Sequence, residues 1–391
     1  VSNLIFLIIE FIDELVFGVG QAAWPLIRTD LGLNYIQIGL ALSLPNLVAS
    51  FIEPFIGILG DVWRRRILIL GGGVFFVISL FLTAVSHSYL PLMLSYILFS
   101  PASGAFVSLS QANLMDAAPE RHEQNMARWN FSGSLGVVLG PLLLSAVLVV
   151  SLGWRPAYLF LGVLTGLILL AAWMIIPHTG RAKRGLPSFG EISDGMRAAL
   201  DALRNPQVVR WLVLLEFSDL MLDVLYSYLA LYFVDVVGFS AGSAALAVAI
   251  WTGVGLLGDF LLIPLVERIH GLDYLWWSVL FELILFPAFL LVPQPGLKLV
   301  FIGLMGLFNA GWYAILRAEL YSTMPCHSGT VMVLDNVSGF FGRLLPLGIG
   351  FAAQAFGLQW AMWCMLAGPI ALLIGLPRRS GSLIGNQLAD D

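Results

Sequence analysis

Apolar runs long enough to form spanning helices recur along the whole chain, parted by short polar or basic segments. A helix rises about 1.5 Å per residue, so about 20 residues cross the hydrocarbon core of a bilayer. The runs predict helices at 3–27, 36–60, 67–86, 89–116, 125–150, 154–176, 209–235, 241–266, 272–292, 298–324, 329–352 and 358–376. Such continuous runs exclude the two-residue alternation of a transmembrane barrel. The expected fold is an all-α integral membrane protein of 12 transmembrane helices, numbered here in chain order.

Composition adds lipid as the solvent. Of 391 residues, 59% are hydrophobic and 11% charged, against about 25% charged in a soluble domain. The 26 Phe, 12 Trp and 40 Gly fit lipid-facing aromatics and close helix crossings. The net charge of −5, with basic residues confined to clusters between helices, leaves no basic face for nucleic acid. Those clusters set the topology instead. With loops assigned alternately to two sides, 14 Lys and Arg fall on one side, while Arg28, Arg155 and Lys298 fall on the other. Cytoplasmic loops carry the excess, so both termini of this inner (plasma) membrane protein are expected in the cytoplasm. Acids at Glu10, Asp13 and Glu14, followed by Trp24 and Pro25, mark the first run as a retained helix and not a cleaved signal. Cys326 and Cys364 are too few for a disulfide framework or a zinc site.

The chain also repeats itself at a constant offset of 206 residues. Glu10-Phe11 and Asp13 lie over Glu216-Phe217 and Asp219, Gly32 over Gly238, Glu53 over Asp259, Asp61 over Glu267, Pro119 over Pro325 and Trp154 over Trp360. Asn130, Ser132, Gly133 and Gly136 lie over Asn336, Ser338, Gly339 and Gly342. Six is an even number of helices, so the two halves have the same orientation and are related by an axis along the membrane normal. The expected domains are 1–176, a cytoplasmic linker at 177–208, and 209–391. In the linker, Ser188 and Glu191 form a capping-box pattern, and Ile192, Met196, Leu200 and Leu203 follow at helical spacing, as in a helix lying on the membrane surface.

Between helices 2 and 3, Gly57, Gly60 and Asp61 followed by Arg64, Arg65 and Arg66 resemble the signature loop of the major facilitator superfamily of secondary transporters. Val62 and Arg64 stand where that family usually has a basic residue and a glycine. The resemblance implies an inner gate at Gly57, Asp61, Arg65 and Arg66, in which Asp61 accepts from Arg65 and faces the positive end of a helix dipole. In helix 5, Gly133, Gly136, Gly140 and Pro141 resemble the glycine-proline signature of antiporter members, with Ala127 and Leu144 in place of two glycines. That resemblance implies export. The run from Asp13 through Gln37 and Gly39 to Glu53, Pro54 and Gly136 is similar to the fosmidomycin-resistance type of drug efflux carrier. Helices 1, 4, 7 and 10 line the cavity in this superfamily. Helix 4 lacks the arginine of many proton-coupled relatives and carries Gln111 and Asn113 there.

An ionisable group at the middle of a spanning helix costs about 2.5–3.5 kcal/mol even on the gentlest scale, so each one needs a partner, a cavity or a role. Glu10, Asp13 and Glu14 stand at i, i+3 and i+4, on one face of helix 1. Glu216, Asp219 and Asp223 share a face of helix 7. Counting residues from the inner helix ends places Glu216 level with Arg317, and Asp223 level with Arg343, two expected pairs. The positions matching Arg317 and Arg343 in the first half are Gln111 and Val137, so the helix 1 acids lack a cation in their own half. Crowded carboxyls of this kind can exchange protons. One proton crossing about 100 mV supplies about 2.3 kcal/mol, enough for a solute gradient of about fifty-fold.

Asp13, Glu10 and Glu14 are therefore the expected coupling residues, and Gln111, Asn113, Glu216, Asp219, Asp223, Arg317 and Arg343 the expected substrate cavity. Trp24, Tyr226, Tyr228 and Trp312 offer aromatic surfaces to a cation. No nucleophile elbow, phosphate loop or ATP-binding domain is present, so no enzymatic cofactor is expected and a proton or sodium gradient is the energy source. The function expected is proton-coupled efflux (antiport) of a small organic or drug-like compound by alternating access, with a proton- or sodium-coupled symporter importing a small organic solute as the alternative and a receptor or assembly factor without turnover as a third reading. The expected partners are a small-molecule substrate and membrane lipids, without nucleic acid, around a monomer. Glu53 and Asp259 read equally as gate or packing residues, and Glu282 has no evident partner.

Overall fold

The computed structural model describes residues 2–62, 65–117, 122–176, 203–323 and 339–377. The linker stretch 177–202, Pro119, Cys326, Asp335, Asn336, Ser338 and the side chain of Asp61 lie outside the described residues. The helices are α1 (Ser2–Leu31), α2 (Tyr35–Val62), α3 (Arg65–Ala84), α4 (89–117), α5 (His122–Val149), α6 (Trp154–Ile175), α7 (206–235), α8 (Ala241–Val266), α9 (Gly271–Leu291), α10 (295–323), α11 (Leu345–Phe356) and α12 (358–375). Nine of them are long and apolar enough to cross a bilayer, and α1 and α7, which carry the two acidic faces, are not among these. Phe55, Trp173 and Ile374 are exposed apolar side chains that lipid can cover.

The 206-residue repeat reappears in backbone conformation. Gly32 and Gly238, after α1 and α7, have φ of 64° and 82°. Ser151 and Gly357, after α5 and α11, have φ of 57° and 87°. The left-handed conformation after a helix turns the chain and satisfies the last carbonyls. Leu33 N–H donates to Arg28 O at 3.0 Å across the first of these turns. Two rods are interrupted at matching places. A π turn, Gly104–Ser108, separates Tyr89–Ser103 from Leu109–Ala117 in α4, and α10 breaks between Asn309 and Trp312, 206 positions later. α7 carries its own π turn at Leu220–Val224. The apolar runs had predicted each of these rods as continuous.

Close crossings bind α1 to α5. A Cβ added at Gly136 would stand 2.6 Å from Phe11 O, and one at Gly140 would stand 2.7 Å from Gly18 Cα. Only glycine admits such approach. The first six helices meet the last six through α2 against α11, α5 against α8, and α1 against α7. At the end of the bundle away from the termini these contacts seal. Arg28 Nη1 lies 2.5 Å from Asp235 Oδ2, which also accepts from Tyr35 OH at 2.8 Å. Tyr35 N–H donates to Gln354 Oε1 at 3.2 Å, and Ser145 Oγ donates to Gly242 O at 3.3 Å.

Candidate functional site

Below this seal, the helix interruptions leave space. A cavity of about 720 Å³ is bounded by α1, α2, α4, α5, α7, α8 and α10. Five acids line it: Asp13, Glu14, Glu53, Asp223 and Asp259. A second space of about 960 Å³, between α5 and α8 and toward the terminal end, adds Glu10, Glu319 and His270. Both spaces share Glu14, Ser134, Val137, Leu256, Asp259, Gly311 and Ala314, so they adjoin and together make up a passage. Among the described residues no Lys or Arg lines either space. The passage is an anionic one.

The α1 acids are placed by the α1–α5 crossing. Glu10, 8% exposed, lies with its carboxyl against Gly133, where an added Cβ would stand 2.7 Å from Oε1. Asp13 Oδ1 accepts from Ser103 Oγ at 2.8 Å, which ties α1 to α4 just before the π turn. Glu14 has Asp13, Glu10 and, across the halves, Asp223 as electrostatic neighbours. Among the described residues none of the three forms an ion pair with a cation.

Glu53 and Asp259, which the sequence left open between gate and packing, both line the cavity. Each touches the interruption in its own half. Glu53 lies against Gly104, and Asp259 Oδ1 accepts from Gly311 N at 3.2 Å. A pair of acids at the repeat offset, one followed by Pro54, was the signal that could have raised them to site residues.

Several expected residues stand elsewhere. Asp223 lines the cavity, while Gln111, Asn113, Glu216, Asp219, Arg317 and Arg343 are not among the lining residues. Gln111 donates to Met126 Sδ at 3.6 Å. Asp219 lies between Asp223 and Glu216 on the α7 face. Glu216 packs its carboxyl against Gly342, and Arg317 sits 5.2 Å from the ring centroid of Tyr313. The expected pair of Asp223 with Arg343 is not formed. Arg343 is instead the cationic neighbour of Glu53, because α11 packs on α2.

Of the gate residues, Arg65 Nη1 lies 2.7 Å from Asp116 Oδ2, and Arg66 donates to Trp173 O at 2.5 Å, both within the first six helices. A Cβ at Gly57 would meet open space. Tyr226 and Trp312 line the cavity. Trp24 instead packs on Tyr96 at 5.8 Å, and Tyr228 donates to Pro346 O at 2.7 Å.

The arrangement has relatives. The Major Facilitator Superfamily model matches residues 6–346. The fosmidomycin resistance protein of Escherichia coli K12 is 24% identical over 356 residues, covering 89% of this chain and 84% of that one. The quinolone resistance protein NorA of Staphylococcus aureus Mu50 is 24% identical over 279 residues, covering 70% and 69%. Among solved structures, the nucleoside transporter NupG superposes with a TM-score of 0.78 at 14% identity, covering 96% and 98%. A bacterial homologue of the human lysosomal transporter Spinster, in an inward-facing and unoccupied conformation, does so with 0.72 at 18% identity, covering 96% and 94%.

Proposed function

From the premise that the chain belongs to the major facilitator superfamily, we propose that it exports small amphipathic cations in exchange for protons. Membership makes it a multi-pass membrane transporter of a small molecule. The observation that carries the finer reading is the charge of the passage, which is lined by carboxyls from both halves and by no described Lys or Arg. Such a surface attracts cations and repels anions. Anionic compounds fit it poorly.

Exchange follows from charge balance. A cation entering beside Asp13 and Glu14 stabilises their ionised forms and displaces protons, and protons returning neutralise the carboxyls and release the cation. Asp13 is the central member, since its contact with Ser103 links protonation to α4 at the π turn. The excess of basic residues at the terminal end supports both termini being cytoplasmic. In that orientation the conformation is open inward and sealed outward by Arg28 and Asp235. Rocking of the two halves then exposes the same acids to the other side.

The test uses the full chain in proteoliposomes with an imposed pH gradient and a panel of radiolabelled lipophilic cations, neutral isosteres and phosphonates. Proton-driven antiport of the cations, lost in Asp13→Asn, supports the reading. Movement of cations in the same direction as protons, dependence on sodium alone, or preference for the phosphonates overturns it.

A further inference from the structure

Glu282, in the middle of α9, takes no part in the exchange above, yet it is the most enclosed acid described. Its exposure is 0%, and neither carboxyl oxygen has a hydrogen-bond partner among the described residues. The neighbouring groups are otherwise engaged. Ser278, one turn earlier, donates to Leu275 O at 2.9 Å and accepts from the indole N–H of Trp312 at 2.8 Å. Tyr274, two turns earlier, donates to Ala310 O at 3.1 Å and has both Asp259 and Glu282 as electrostatic neighbours.

α9 packs against α10 and α12. The described charged and titratable side chains these bring are Lys298, Tyr313, Arg317, Glu319 and Cys364, with Asp259 reached from α8. Lys298 is held at the far end of α9 by Phe289 O at 2.5 Å and Tyr232 OH at 2.9 Å. Among the described residues no ion pair includes Glu282.

An ionised carboxylate without a hydrogen bond or counter-ion is costly in such a place, whereas the neutral acid is tolerated. One and two turns earlier α9 meets the break in α10, through Ser278 with Trp312 and Tyr274 with Ala310, where Ala310 has ψ of 134° and Gly311 has φ of 73°. Ala310 and Gly311 line the cavity. We propose that Glu282 is a second proton-binding site, filled in this conformation and opened to the cavity when α10 moves about Ala310 and Gly311.

In the filled state one carboxyl oxygen carries the proton. When the break moves, that O–H bond gives its proton to cavity water and leaves a solvated carboxylate. The reverse step refills the site. Tyr274 relates the break to the site, holding the broken segment's carbonyl with Glu282 as an electrostatic neighbour. The site stands on burial and on the helix break, so it does not require that Asp13 carry the coupling proton.

The experiment is infrared difference spectroscopy on the full chain in lipid at neutral pH, comparing the parent protein with Glu282→Gln, Glu282→Leu and Asp13→Asn. The carbonyl-stretching band of a protonated acid free of hydrogen bonds is expected in the parent and in Asp13→Asn, and is expected to vanish in both Glu282 variants. Adding tetraphenylphosphonium is expected to reduce the band, with proton release seen by a pH-indicator dye. Absence of the band from the parent, or parent-like proton release in a folded Glu282→Leu variant, overturns the proposal. Loss of gradient-driven flux is read separately, so failure at Asp13 and failure at Glu282 give different results.

Discussion

Asp259 Oδ1 accepts a hydrogen bond from the backbone N–H of Gly311 at 3.2 Å. At the matching place 206 residues earlier, the carboxyl of Glu53 lies against Gly104, where an added Cβ would be 2.8 Å from Oε1. An acid on the second helix of each half therefore meets the interruption in the fourth. Interrupted helices free backbone groups that a continuous rod would bind internally, and lining a cavity is how membrane proteins tolerate this. Repetition of the arrangement in both halves argues that the breaks are built-in joints.

Gly311 is expected to tolerate no side chain. Its φ of 73° costs a non-glycine residue about 1–2 kcal/mol. A Cβ there would also stand 2.0 Å from Leu262 Cδ2, a side-chain tip that can swing aside, so the backbone strain is the larger cost. Gly311→Ala should lower the thermal unfolding midpoint of the purified protein and suppress flux. Asp259→Asn, which keeps the accepting oxygen, should leave the midpoint near that of the parent, whereas Asp259→Leu should lower it. Dye-based thermal unfolding with parallel flux assays checks the series.

The α1–α5 crossing should respond to single methyl groups. Gly136 and Gly140 meet the α1 backbone, which unlike a side-chain tip cannot swing aside. Gly136→Ala and Gly140→Ala should each destabilise by about 1–3 kcal/mol. Gly57→Ala, where a Cβ meets open space, should change nothing measurable. Equal unfolding midpoints across the three variants would contradict this account of the helix 5 glycines, which makes them packing residues first.

The outer seal is an exposed charge cluster and should be correspondingly weak. Arg28 stands 2.5 Å from Asp235 and 4.4 Å from the ring centroid of Tyr35. Pairs of this exposure contribute about 0.2–1 kcal/mol, so Asp235→Asn should shift the equilibrium toward outward opening by about 1.5- to 5-fold. Ser43, whose hydroxyl accepts from Leu347 N–H at 3.1 Å, reports it. In a background lacking the native cysteines, alkylation of Ser43→Cys should accelerate with Asp235→Asn. High salt should narrow the difference by accelerating the parent.

Much of this was legible in the chain because hydrophobic run length and a repeat are one-dimensional signals. Gly32 over Gly238 was visible as a repeated position, which the structure shows to be two left-handed turns, and the faces holding Asp13 and Asp223 were visible from helical spacing. What one dimension could not show is which helices touch. Arg343 sits level with Asp223, yet α11 lies on α2 and brings the guanidinium to Glu53. The joints in α4 and α10 were hidden for another reason. Gly104 and Gly311 are two of 40 glycines, and a π turn or a break changes the hydrogen-bond ladder without interrupting the apolar run.

Tyr226 should set the affinity for a permanent cation. It lines the cavity with Phe17 at 5.5 Å and Trp251 at 5.3 Å between ring centroids, and Glu14 and Asp223 are its charged neighbours. An aromatic face flanked by carboxyls attracts a quaternary ammonium or phosphonium through both ring quadrupole and net charge. The ring's share is about 0.5–2 kcal/mol, so Tyr226→Leu should weaken binding about 2- to 30-fold. Among the described residues the hydroxyl reaches only Val137 O, at 3.5 Å, so Tyr226→Phe should bind much like the parent. A neutral isostere of the same cation is the control, since it keeps the apolar contact and loses the charge. Titration by tryptophan fluorescence should show Tyr226→Leu separating cation from isostere less well than the parent. An equal loss for both ligands would assign the ring to shape alone.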